Sequence, residues 1–170
     1  MQLRRLRYAS LVPIAIALSA GCAVLLPSKR DAKVVAETQE RATCPAGEAP
    51  DYPAQLFDPK SVVSVKPLYT LARTARTGPE YQLSGAIIQL RPIPSLSSQG
   101  LESLLNCHSA RSELKRPGEP SLENDPYWVP GQPVDIAVRS ERGEVRAEVK
   151  SSDINTAHEI LRRATAFGRS

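Results

Sequence analysis

Between Val134 and Lys150 the chain alternates apolar and polar residues on both sides of a turn, and few folds accommodate that pattern. Val134, Ile136 and Val138 alternate with Asp135, Ala137 and Arg139. Glu141-Arg142-Gly143 turns the chain, and Val145, Ala147 and Val149 alternate with Glu144, Arg146, Glu148 and Lys150. A period of two on both arms describes an antiparallel hairpin with one buried face and one wet face. The wet face carries both signs of charge, as cross-strand ion pairing needs.

The neighbouring segments supply the layer that buries the apolar face. Asp153 caps a last helix whose stripe is Ala157, Ile160, Leu161, Ala164 and Phe167, with Gly168 at its C-terminal cap. Before the hairpin, Ser97 or Ser98 caps a helix with Leu101, Leu104, Leu105 and His108 at positions i, i+3, i+4 and i+7. Lys115-Arg116-Pro117-Gly118 ends that helix. Earlier still, Val62 to Lys66 reads as a strand that continues weakly past Pro67 to Leu71. Thr77-Gly78-Pro79 is a turn, and Tyr81 to Leu90 is a second strand. Strand, strand, helix, hairpin and helix predict an α+β fold: a small antiparallel sheet of about four strands, covered on one face by two helices.

The N-terminal end gives an address. Arg4, Arg5 and Arg7 precede an uncharged run from Tyr8, with an apolar centre at Leu11–Leu18 and small residues at Ser19-Ala20-Gly21. A basic start, a short apolar stretch and a small-residue cut site define a secretory signal. Leu18-Ser19-Ala20-Gly21-Cys22 resembles the lipobox of bacterial lipoproteins, with Ser19 where the family usually has leucine. The resemblance implies cleavage before Cys22 and a covalent lipid on its thiol. Ala23 after the cysteine implies the outer membrane, facing the periplasm. The competing reading is an uncleaved helix, since Tyr8 to Pro27 is long enough to span a bilayer. Either way the arginines stay cytoplasmic and the rest is exported. The expected organisation is a signal peptide over 1–21, a lipid-anchored flexible linker over 22–60 and a periplasmic α+β domain over 61–170. Lys29 to Arg41 reads as a short polar helix without a stripe to bury.

Removing the leader takes three of the 22 Lys and Arg and none of the 18 Asp and Glu, leaving 19 against 18. A nearly neutral mature chain with 5% aromatic residues has neither the basic face nor the stacking platforms of a nucleic-acid binder. Haem-attachment, serine-hydrolase, zinc-protease and phosphate-loop motifs are all missing from the sequence. The expectation is a non-enzymatic binding or structural module, with no cofactor beyond the lipid and an envelope protein or glycan as partner.

Cys107-His108 is the one constellation that suggests chemistry. Thiolate and imidazole can bind zinc or copper, and a histidine can activate a cysteine. Adjacent residues on a helix point about 100° apart, so the two do not converge without help. Cys44 and His158 are the further ligands that a metal or thiol-redox site could recruit. The plainer reading is a Cys44–Cys107 disulfide, the default for two cysteines in an oxidising compartment, with His108 as a hydrogen-bonded core residue. Tyr127 and Trp128 on a Pro-rich loop are a candidate partner-contact pair, although such residues more often tuck under the loop to finish the core. Arg162, Arg163 and Arg169 could meet anionic lipid or glycan, or form an ordinary solvated helix end. Glu144 and Glu148 are best read as charge partners.

Gly85-Ala86, Leu104-Leu105-Asn106-Cys107-His108-Ser109-Ala110, Asp125-Pro126-Tyr127 and Ala157 to Ala164 together resemble a family of bacterial lipoproteins. The resemblance covers about half of the chain and implies no activity. The hairpin and last helix also loosely resemble BON-type envelope domains in element order.

Overall fold

The computed structural model describes residues 29–45, 50–74, 78–94, 96–141 and 143–170. The signal peptide and Cys22 lie outside them. Among the described residues three α-helices, α1 (Lys29–Thr43), α2 (Ser98–Glu113) and α3 (Ile154–Phe167), accompany four strands, β1 (Val62–Thr74), β2 (Gly78–Leu90), β3 (Asp135–Glu141) and β4 (Glu144–Lys150). The strands form one antiparallel sheet in the order β1-β2-β4-β3, and the α+β expectation holds.

Cross-strand register explains the core. Val65, Ile88, Ala147 and Val138 form one row across the sheet, and Pro67, Ala86, Val149 and Ile136 form the next. Because side chains alternate between faces, both rows point to one side. Their central members Ile88, Ala147, Ala86 and Val149 are fully buried, and Leu105 and Ile160 from the helices join the same cluster. On the opposite face Arg139 lies 3.4 Å from Glu148 and Lys150 lies 3.2 Å from Asp135.

Helix α2 also protects a sheet edge. Val138 N–H donates to Glu102 Oε2 at 2.7 Å, and Asn106 Nδ2 donates to Ile136 O at 3.0 Å. Edge strands present unpaired backbone groups that invite other chains, and α2 satisfies two of these on β3. The caps follow the sequence closely. Ser97 Oγ accepts from Gly100 N, and Asp153 accepts from Thr156 N at 2.8 Å. Gly168 ends α3 in a right-handed conformation, φ −71°. A Cβ there would lie 3.1 Å from Val62 Cγ1, a tight contact that the valine side chain would have to relieve.

The first two strands are longer than expected, and Gly78 and Pro79 belong to β2 rather than to a turn. β2 pairs with β4 only from Gly85 to Leu90, so Tyr69 to Thr74 and Gly78 to Leu83 project as a two-stranded arm. A bulge between Leu68 and Tyr69 marks its base. Gly85 sits beside the bulge at φ +152°, where a Cβ would fall 2.0 Å from the Val149 carbonyl oxygen. Only glycine permits β2 and β4 to approach there.

The linker expected over 22–60 needs correction for its described part. α1 packs on α2 through buried Ala32 and Ala36. Gln39 Nε2 donates to Asn106 Oδ1 at 2.6 Å. Leu56, in a 3-10 turn over Ala54–Phe57, is fully buried in the core. The helix shows no large-residue stripe because its contact face is made of alanines at i and i+4. Packed structure therefore reaches back at least to Ala32, into the span expected as linker. No helix among the described residues is long and apolar enough to cross a membrane.

Candidate functional site

Cys107 and His108 diverge, as helix geometry requires. Cys107 faces α1 and is bridged to Cys44, with Cα atoms 5.0 Å apart. His108 faces the loop after α2 and has no exposed surface.

Around His108 the fold assembles a buried ionic network. His108 Nε2–H donates to Asp125 Oδ2 at 2.7 Å, and Nδ1–H donates to Glu119 Oε2 at 3.0 Å. Asp125 Oδ1 accepts from the Tyr127 backbone N–H at 2.9 Å. Glu119 also accepts from Arg111 Nε and from the Tyr52 hydroxyl at 3.0 Å. Arg111 Nη2 donates to Pro117 O at 3.0 Å. Outside this shell Glu40 of α1 accepts from Arg116 at 3.0 and 3.1 Å. The Phe57 ring centroid lies 4.6 Å from that of His108, and Tyr52 meets the same ring edge-on at 5.9 Å.

The electrostatics follow from these contacts. Burial alone would lower the His108 pKa, but hydrogen bonds to Asp125 and Glu119 and the charges of both raise it to about 9. His108 is therefore an imidazolium at neutral pH, with both N–H groups donating. Burial would raise Glu119, yet the donors His108, Arg111 and Tyr52 hold it below the usual carboxylate range. Burial and the Glu119 charge push the Tyr52 phenol well above its ordinary value. His108 and Arg111 face Glu119 and Asp125, and Arg111 also lies 3.7 Å from Glu40, which links the cluster to α1. Every polar atom of the histidine is engaged. In this state neither ring nitrogen is free to hold a metal or to accept a proton, and the Cys107 sulfur is occupied by Cys44.

Other expected site residues are dispersed. Tyr127 is fully buried and completes the core, so it presents nothing to a partner. Trp128 is half-buried and donates from Nε1 to Glu113 at 3.0 Å. His158 is exposed on α3, and Arg169 is exposed at the chain end. Arg162 and Arg163 both pair with Glu159 at 2.7 Å, and the hydrogen bond from Arg162, followed by that from Arg163, lowers its pKa to about 2. Glu144 pairs with Arg146 at 3.1 Å.

Sequence reading missed Tyr52, Arg111, Glu119 and Asp125. One signal pointed to them: a histidine on an apolar helical stripe needs a buried partner, and the following loop holds these acids. Beside the network an open cleft of about 520 Å³ is lined by Glu40, Arg41, Cys44, Arg111 and Arg116, among others. Comparison with protein-family models, with curated proteins and with solved structures found no match.

Proposed function

We propose that the chain is an exported bacterial lipoprotein, cleaved before Cys22 and held by lipid there, whose domain serves the cell envelope as a non-enzymatic binding or structural module. The observation that carries this reading is the Cys44–Cys107 bridge, which fastens α1 across 63 residues of sequence. Such a bridge belongs to an oxidising compartment, in keeping with the leader and lipobox. The saturated network around His108 supports a structural role for the histidine. Outer-membrane placement facing the periplasm rests on Ala23 and on the resemblance to lipoproteins. The test is fractionation of cells carrying Cys22→Ser. Release of the protein from the membrane fraction, with retention of the parent chain, is the expected result. Unchanged retention of the variant would favour an uncleaved N-terminal helix.

A metal or thiol-redox reading on Cys107 and His108 keeps one observation in its favour. Cys44 lines an open cleft, and access to a reductant is one condition of thiol–disulfide exchange; the arginines there are paired, Arg111 and Arg116 with Glu40 and Arg41 with Glu37. Reduction would take two electrons and two protons from a dithiol reductant and leave two thiols. Redox equilibration against dithiol buffers separates the readings: a structural bridge has a potential below about −300 mV.

A further inference from the structure

The β1–β2 arm carries a surface that the rest of the fold does not use. Leu71 stands directly opposite Tyr81, and Tyr69 opposite Leu83. Positions facing one another and two apart lie on one side of a ribbon, so these four residues form a single apolar and aromatic face. Tyr69 is 55% exposed, Leu71 51% and Tyr81 74%, and Leu83 at the base of the arm is half-buried. An isolated two-stranded hairpin is marginal in water, and this one extends an apolar face past the end of β4.

The position of α1 indicates what meets that face. Val35 lines one cleft with Thr70 and Ser84 at the base of the arm, with Asp135 where β3 begins and with Lys150 where β4 ends. The N-terminal half of α1 therefore lies at the end of the sheet from which the arm projects. In sequence its first residues read Lys29-Arg30-Asp31-Ala32-Lys33, three basic and one acidic, while the β3–β4 turn at the opposite end reads Glu141-Arg142-Gly143-Glu144, two acidic and one basic. Seven peptide steps separate Cys22 from Lys29, a span of at most about 25 Å. A lipid on Cys22 would hold the basic, arm-bearing end within that distance of the bilayer. Tyrosine suits that boundary, with an apolar ring and a polar tip, and basic residues suit anionic headgroups.

We propose that the arm is a second membrane contact: the face formed by Tyr69, Leu71, Tyr81 and Leu83 inserts at the headgroup level of the bilayer that carries the Cys22 lipid, and so fixes the orientation of the domain. The proposal rests on the lipoprotein reading. It adds an orientation in which the β3–β4 turn points away from the membrane, since Tyr81 and Leu90 lie about 30 Å apart along β2.

The test uses the mature lipidated protein in vesicles of phosphatidylethanolamine and phosphatidylglycerol, with and without lipid brominated near the top of the acyl chains. Tyr81→Trp places a reporter on the arm and Glu144→Trp places one at the far end, each measured above the Trp128 background. Loss of roughly half of the added emission from Tyr81→Trp, with none from Glu144→Trp, is the expected result. Equal emission with and without bromine, in protein that floats with the vesicles, would overturn the docking and leave the anchor standing. Protein that does not float with the vesicles would remove both. Unquenched emission from Tyr81→Trp that shifts to the blue as protein concentration rises would assign the face to a second copy of the chain and overturn the membrane contact.

Discussion

His108 Nε2 lies 2.7 Å from Asp125 Oδ2, and both side chains are out of contact with solvent. This pair fastens the loop after α2 to the helix, and Glu119 completes the clamp from the other ring nitrogen. Removing one member of such a network leaves uncompensated buried charge. His108→Leu is expected to lower unfolding free energy by about 3–5 kcal/mol. Urea titration of the variant beside the parent measures this.

The same cluster sets a pH dependence. The folded-state pKa of His108 is raised from the ordinary 6.5 to about 9. Its contribution is therefore complete below the ordinary value and is lost as pH rises through the folded one. Glu119 is held low, so its contribution is present above the ordinary carboxylate range and is lost under acid. Denaturation midpoints should fall between neutral pH and about pH 10, and that alkaline fall should be absent in His108→Leu.

The disulfide should act mainly on α1. In the chain-entropy argument, closing a loop of this length stabilises the fold by about 4 kcal/mol. Replacing both Cys44 and Cys107 by serine should cost about that much. Amide exchange should rise first in α1, whose other buried contacts are two alanines and a few polar pairs. A uniform rise across α2 and the sheet would contradict this local role.

Two single-residue substitutions separate space from hydrogen bonding. Gly85→Ala drives a methyl group into the Val149 carbonyl, so loss of several kcal/mol, about 3 or more, is expected in thermal unfolding. Tyr127→Phe removes a buried hydroxyl with no hydrogen-bond partner among the described residues. It should be neutral or stabilising by up to about 1 kcal/mol. A large loss would place a partner on that hydroxyl.

Much of the fold was legible because the hairpin, α2 and α3 bury large side chains at regular spacing. Val134, Ile136 and Val138 on one arm and Val145, Ala147 and Val149 on the other share a period of two, which leaves one solution for β3 and β4. α1 was not legible as part of the domain. Its buried positions are Ala32 and Ala36, and its hold depends on Cys44, Gln39 and Glu40 finding partners far along the chain. Leu56 was hidden for a related reason: it is an isolated residue in a 3-10 turn, with no period to reveal it. The site was half legible. Cys107 and His108 stood out, and helical geometry foretold that they would diverge. Glu119 and Asp125 reach His108 only through a Pro-rich loop whose path no local pattern sets.

The central claim, an exported chain cut and lipidated at Cys22 with its remaining cysteines bridged, is tested most directly by intact mass measurement on protein extracted from membranes without reductant. The account predicts a polypeptide beginning at residue 22, heavier by its acyl groups, lighter by two hydrogens and inert to alkylation until reduced. An unmodified chain retaining residues 1–21, or one that takes up alkylating reagent on Cys44 and Cys107 before reduction, would contradict it.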